Sequence, residues 1–168
     1  EKSDEVTVSD AELAGNPFRQ DWDTPYGVPP FSDIENSDYL PAIKKAILEM
    51  REEIQTIVSN SEEPTFSNTI VALELAGESL NKVSRTFGNI TGTDTDGELR
   101  NLETEIYPML TRESDAISLN EVLYERVKAV YDSKESLGLN EQDSRLLELT
   151  HRSFIRSGAA FSPDVKSK

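Results

Sequence analysis

Six apolar residues, Leu40, Ile43, Ile47, Met50, Ile54 and Ile57, follow one another at alternating spacings of three and four. An α-helix completes a turn in 3.6 residues, so this spacing collects all six on one stripe that must be buried. Ser37 or Asp38 is placed to cap the helix, and Pro41 to fall in its first turn, where a missing N–H costs little. Glu62, Glu63 and Pro64 then connect to a second stripe of the same period: Phe66, Ile70, Leu73, Gly77, Leu80, Val83, Phe87 and Ile90. Gly77 lies on that stripe, where it is read as allowing close helix approach and not as a break, despite its propensity cost. Two such stripes joined by a short loop predict an antiparallel helical hairpin.

The remaining sequence continues in the same manner. Thr95-Asp96-Gly97-Glu98 has the form of a capping box ahead of Leu99, Leu102, Ile106 and Leu110. Pro108 should kink or divide that third helix, which continues toward Ile117. A fourth helix follows Asn120, with Leu123, Val127 and Val130 inward, and Gly138 closes that region. A fifth starts at Asn140, is aided by Glu141 and Asp143, carries Leu146, Leu147, Leu149, Phe154 and Ile155, and stops at Gly158. Ser162-Pro163-Asp164 reads as the start of a further helix that the chain cuts off. The fold class expected is all-α: antiparallel helical hairpins or a bundle.

Residues 1–15 are polar and acidic without sustained periodicity and read as a flexible leader. Residues 16–36 are rich in proline and aromatics, including Thr24-Pro25-Tyr26-Gly27-Val28-Pro29-Pro30-Phe31. Proline fixes φ and removes backbone donors, so an extended arm is expected, with Phe18, Trp22, Tyr26 and Phe31 pressed onto neighbouring helices. No basic anchor stands beside the prolines, which weighs against an SH3 ligand.

With 17 basic and 32 acidic residues the formal charge is −15. That balance disfavours nucleic acid and anionic membranes, both of which need clustered Lys and Arg. No apolar run reaches the length of a transmembrane helix. The chain has no cysteine and one histidine, His151, so disulfide and thiol chemistry are absent from it.

Four stretches carry a resemblance. Trp22 through Phe31 with Ile34 is similar to the opening arm of the bacterial peptidyl-dipeptidases of the thimet-oligopeptidase family of zinc metallopeptidases. Tyr39-Leu40-Pro41-Ala42 with Glu53-Ile54 resembles their first helix. Pro64-Thr65-Phe66-Ser67-Asn68-Thr69-Ile70-Val71-Ala72-Leu73-Glu74 with Gly77 resembles the head of their second. Ser118-Leu119-Asn120, Glu135-Ser136-Leu137-Gly138-Leu139, Arg145-Leu146-Leu147 and His151 to Ala159 follow in the expected order. Together they cover nearly all of the chain after Asn16, and they lie closer to peptidyl-dipeptidases than to oligopeptidases.

The resemblance implies a large helical hydrolase in which two lobes enclose a channel with zinc at its floor. That zinc is held by an H-E-x-x-H helix and a further glutamate, and it lowers the pKa of its bound water. None of those motif positions exists here, so no catalytic, metal or substrate-binding residue is assigned. Zinc belongs to the full-length parent, with none in this chain. Residues 37–168 are then the helical N-terminal domain of the peptidase, truncated at its C-terminal end, which helps wall the channel. Its partners are the catalytic remainder of the same polypeptide and the oligopeptide substrates of the parent. The source is bacterial, with cytoplasm and periplasm both open. A severed lobe should also leave apolar surface exposed near Phe154, Ile155 and Phe161 and along the arm. The alternative is a stand-alone helical interaction module presenting the stripe from Leu40 to Ile57 to a partner helix.

Other patterns have plain structural readings. His151 with Glu148 could hold metal only with partners from elsewhere and reads as a packed histidine. Asp94, Asp96, Gly97 and Glu103 approach a calcium loop, but its first position is Gly92, which has no side-chain oxygen. Asn89-Ile90-Thr91 fits a glycosylation sequon at a helix end by chance. Glu52-Glu53 and Glu62-Glu63 are sequence neighbours that point apart on a helix, which suits solvated faces and not acid–base pairs.

Overall fold

The computed structural model describes residues 5–93 and 96–159, and all of their regular structure is helical. Helix α1 spans Asn36–Ser59. A π-helical segment, Phe66–Val71, runs into the short α2, Ala72–Leu75. Then come α3, Glu78–Thr91; α4, Gly97–Ser118; α5, Glu121–Asp132; and α6, Glu141–Ser157. The all-α expectation is met. The chain divides into two compact units, one made of Glu1–Glu52 with Gly77–Leu110, the other of Glu53–Ala76 with Thr111–Lys168.

In the first unit the α1 stripe does what its period predicts. Ile43 and Ile47 are fully buried, and they share one core with Val83 and Phe87 of α3 and Leu99 and Ile106 of α4. Each such side chain contributes roughly 1.5–3 kcal/mol relative to exposure. Aromatic rings extend this core toward the arm. Trp22 and Phe18 lie 5.7 Å apart, Phe18 and Tyr39 5.6 Å, Tyr39 and Phe87 5.1 Å, and Phe87 and Tyr107 5.8 Å. Trp22 Nε1 donates to the Pro17 carbonyl at 3.0 Å, and the Lys82 ammonium sits 4.2 Å from the indole centroid. The arm is therefore anchored at Phe18 and Trp22.

Tyr26 and Phe31 depart from the expectation, since Tyr26 is fully exposed and Phe31 is 43% exposed. The reason is local. Thr24 Oγ1 donates to the Val28 carbonyl at 2.6 Å, closing the loop on itself and holding Tyr26 outward at φ 61°. Leu13, within the stretch read as leader, is buried, and Asn16 beside it donates to the Asp38 carbonyl at 2.9 Å.

In the second unit the π-helical segment, α5 and α6 pack on one another. Ile70, Leu123, Val127, Val130 and Leu147 are buried there. The predicted caps are present: Asn120 accepts from Leu123 N and Asn140 from Asp143 N, each at 2.9 Å. Gly158 terminates α6 in the left-handed conformation that lets its N–H reach back to the last turn.

Four details differ from the sequence reading or narrow it. Gly77 breaks the second helix: Ala76 is extended and Gly77 has φ 79°. A Cβ at Gly77 would also meet the Met50 side chain at 3.2 Å, so close approach and break coincide. Of the two outcomes expected at Pro108, division does not occur: α4 runs through to Ser118, continuing past Ile117 as expected. Helix α1 starts a little earlier than expected: Asp38 reaches back to accept from Glu35 N at 2.8 Å, and Pro41 is thereby past the first turn. Finally, Asp96 Oδ1 caps α4 by accepting from Leu99 N at 2.7 Å, whereas Thr95 lies outside the described residues. Phe161 and the helix start at Ser162-Pro163-Asp164 also lie outside them.

Candidate functional site

His151 is half-buried on α6 and stacks on Tyr131 of α5, with centroids 3.9 Å apart and planes within 8°. Tyr124 lies beyond at 6.2 Å. Burial pushes its pKa below the ordinary histidine value, opposed by Asp132 and reinforced by Lys128 and Lys134. Its ring is thus engaged as a packing surface, and Glu148 on the same helix is exposed.

The acidic loop before α4 is also committed to structure. Asp96 Oδ1 caps the helix, while its other oxygen accepts from Asn36 Nδ2 at 3.3 Å, which also donates to Glu98 at 3.0 Å. Gly97 is already helical, and Asp94 lies outside the described residues. In the sequon, Thr91 is buried with its hydroxyl 3.3 Å from the Tyr107 hydroxyl. Among the described residues no three His, Asp or Glu side chains converge closely enough to hold a metal ion. With its single histidine packed between rings, the donor set here does not fit zinc.

The most organised polar cluster is one the sequence reading passed over. Arg126, on α5, is only 8% exposed and directs its guanidinium at the connection after α1. Its Nη1 donates to the carbonyls of Asn60 at 2.7 Å and Glu62 at 3.3 Å, and its Nη2 to Asn68 Oδ1 at 3.3 Å. Asn68 in turn forms a reciprocal cap with Thr65: Asn68 N donates to Thr65 Oγ1 at 3.0 Å, and Thr65 N to Asn68 Oδ1 at 2.8 Å. Asn68 Nδ2 also donates to the Glu63 carbonyl at 3.0 Å. The cluster fixes the entry into the π-helical segment and contains no nucleophile–base pair. Its signal was available, because Arg126 shares the buried face of Leu123, Val127 and Val130.

The second unit also carries an open groove of about 290 Å3, whose apolar lining is Leu73, Ile117 and Phe154. Glu74, Ser114, Ser118, Thr150 and Ser153 complete its lining. Phe154, expected to be exposed, is buried at 5%, with its ring 6.3 Å from that of Tyr124.

No protein-family profile matches the chain. Individual proteins do. The dipeptidyl carboxypeptidase of Escherichia coli (strain K12) is 38% identical over 153 residues, which is 91% of this chain and 22% of that protein. The dipeptidyl carboxypeptidase of Salmonella typhimurium (strain LT2) is 33% identical over 156 residues, 93% of this chain and 23% of that protein. Escherichia coli oligopeptidase A is 25% identical over 86% of this chain and 21% of its own length. The chain is thus similar to one part of the dipeptidyl carboxypeptidases and, at lower identity, of oligopeptidase A. It spans about a fifth of the length of these relatives.

Proposed function

We propose that this chain is the N-terminal helical part of a zinc-dependent peptidyl-dipeptidase, which releases dipeptides from the C-terminal end of oligopeptides. Its own residues help wall the substrate channel, and chemistry resides in polypeptide beyond it. The observation that carries this reading is the 38% identity to a dipeptidyl carboxypeptidase along 91% of the chain. It agrees with a donor set that does not fit zinc here and with polar clusters that are spent on capping and loop anchoring.

The test is product analysis on the full-length protein. Incubated with unstructured oligopeptides, it should release C-terminal dipeptides, stop on chelation and recover on adding zinc. Release of single residues, release from the N-terminal end, or no hydrolysis by zinc-loaded protein would overturn the reading.

A further inference from the structure

We infer that the groove over Leu73, Ile117 and Phe154 is the surface on which an apolar helix face from the rest of the same polypeptide docks. This rests on the chain being one part of a longer peptidase.

Three large apolar side chains that lie close in sequence to residues of the groove face water in this chain. Leu75, 63% exposed, follows the groove residue Glu74 in sequence; Leu119, 40% exposed, follows Ser118; and Val122, 52% exposed, lies in the first turn of α5. Exposed apolar residues scattered singly need no explanation, but an open groove floored by Leu73, Ile117 and Phe154, with exposed apolar residues in the segments that line it, is the kind of surface that finds a partner. The groove lies among helices and offers no strand edge, so it cannot pair an extended backbone. A helix, whose backbone groups are already satisfied, can lay an apolar face into it.

Two observations select the occupant. The relatives are four to five times longer than the matched region, which is 22% of one and 23% of another, so most of the homologous length lies outside this chain. Helix α6 contributes Thr150, Ser153 and Phe154 to the groove. Any further part of the same polypeptide would be covalently tethered to this chain and so held near the groove at high effective concentration. A second copy is the competing occupant, and a charge of −15 per chain opposes it.

Hydroxyl-radical footprinting of the full-length protein tests this, with Leu137 as internal reference because it is 37% exposed in this chain. If exposure were unchanged, Leu75 would oxidise faster than Leu137. Docking predicts the reverse order, with Leu75 and Leu119 oxidised several-fold more slowly than Leu137 at all protein concentrations. Leu75 oxidised as fast as Leu137 overturns the inference, and so does protection that appears only as concentration rises, which would assign the surface to a second copy. Independently, Leu75→Asp should lower the thermal midpoint of the full-length protein while Leu137→Asp leaves it unchanged; equal midpoints would count against docking. Peptide hydrolysis by the same preparation reports separately on the proposed activity, so either conclusion can fail alone.

Discussion

Two side chains show how single residues set the properties of this chain. Arg126 binds two backbone carbonyls and Asn68 from a buried position, while its buried Nε finds no partner among the described residues. Only a planar fork with several donors serves those acceptors together. Arg126→Lys should therefore destabilise the protein by about 1–3 kcal/mol through carbonyls left unpaired, although charge is kept. A urea midpoint equal to wild type would show that the cluster is ornamental. His151 gives a pH dependence of definite sign. Burial depresses its folded pKa below the usual value of 6.5, so the neutral ring favours the folded state. That stability is fully present above the unfolded pKa, declines as pH falls below it, and is lost below the folded pKa. His151→Phe keeps the stack on Tyr131 without a titrating group. The fall in stability from pH 7.5 to pH 5.5 (a window of about one unit either side of an ordinary histidine) should be smaller in the variant. An identical fall in both proteins would place the titration elsewhere. Both residues were visible in the sequence, Arg126 as a charge on an apolar face and His151 as a lone imidazole. Their partners were not, because those come from elements far away along the chain.

At the scale of elements, local chemistry was the most legible part. The stripe from Ile43 to Ile57 is buried as its spacing requires, and Asn120, Asn140 and Gly158 cap as their positions suggest. Each of those signals acts within one or two turns. The break at Gly77 was hidden because apolar periodicity continues across it, and a glycine inside a helix costs only about 1 kcal/mol, too little to decide. What decides is tertiary: Met50 occupies the space where a side chain would project, and the backbone turns at φ 79°. Leu73 shows the consequence. Predicted on one continuous face with Val83, it lies before the break and lines the groove of the second unit, while Val83 is buried in the first. Gly77→Ala should cost about 1–3 kcal/mol, from the left-handed backbone plus crowding of Met50. Pairing it with Met50→Ala should recover the crowding share but not the backbone share. A neutral or stabilising Gly77→Ala would mean that the break is not required.

For the molecule as a whole, composition and periodicity point to an acidic chain whose described regular structure is helical, and it is similar to part of the dipeptidyl carboxypeptidases. Catalysis was legible only as a gap between the resemblance and the residues: the one imidazole is stacked on Tyr131, Asp96 caps α4, and no metal-holding group of three converges among the described residues. The groove was not legible at all, because its floor combines residues from α2, α4 and α6 that share no local pattern. The central claim is that this chain is a supporting part and that the chemistry lies beyond it. Zinc content and dipeptide release, measured side by side on the 168-residue chain and on the full-length polypeptide after dialysis, test it most directly. The account predicts stoichiometric zinc and C-terminal dipeptide release for the full-length protein, and neither for the chain alone. One tightly held zinc on the isolated chain, or dipeptides released by it, would contradict the account.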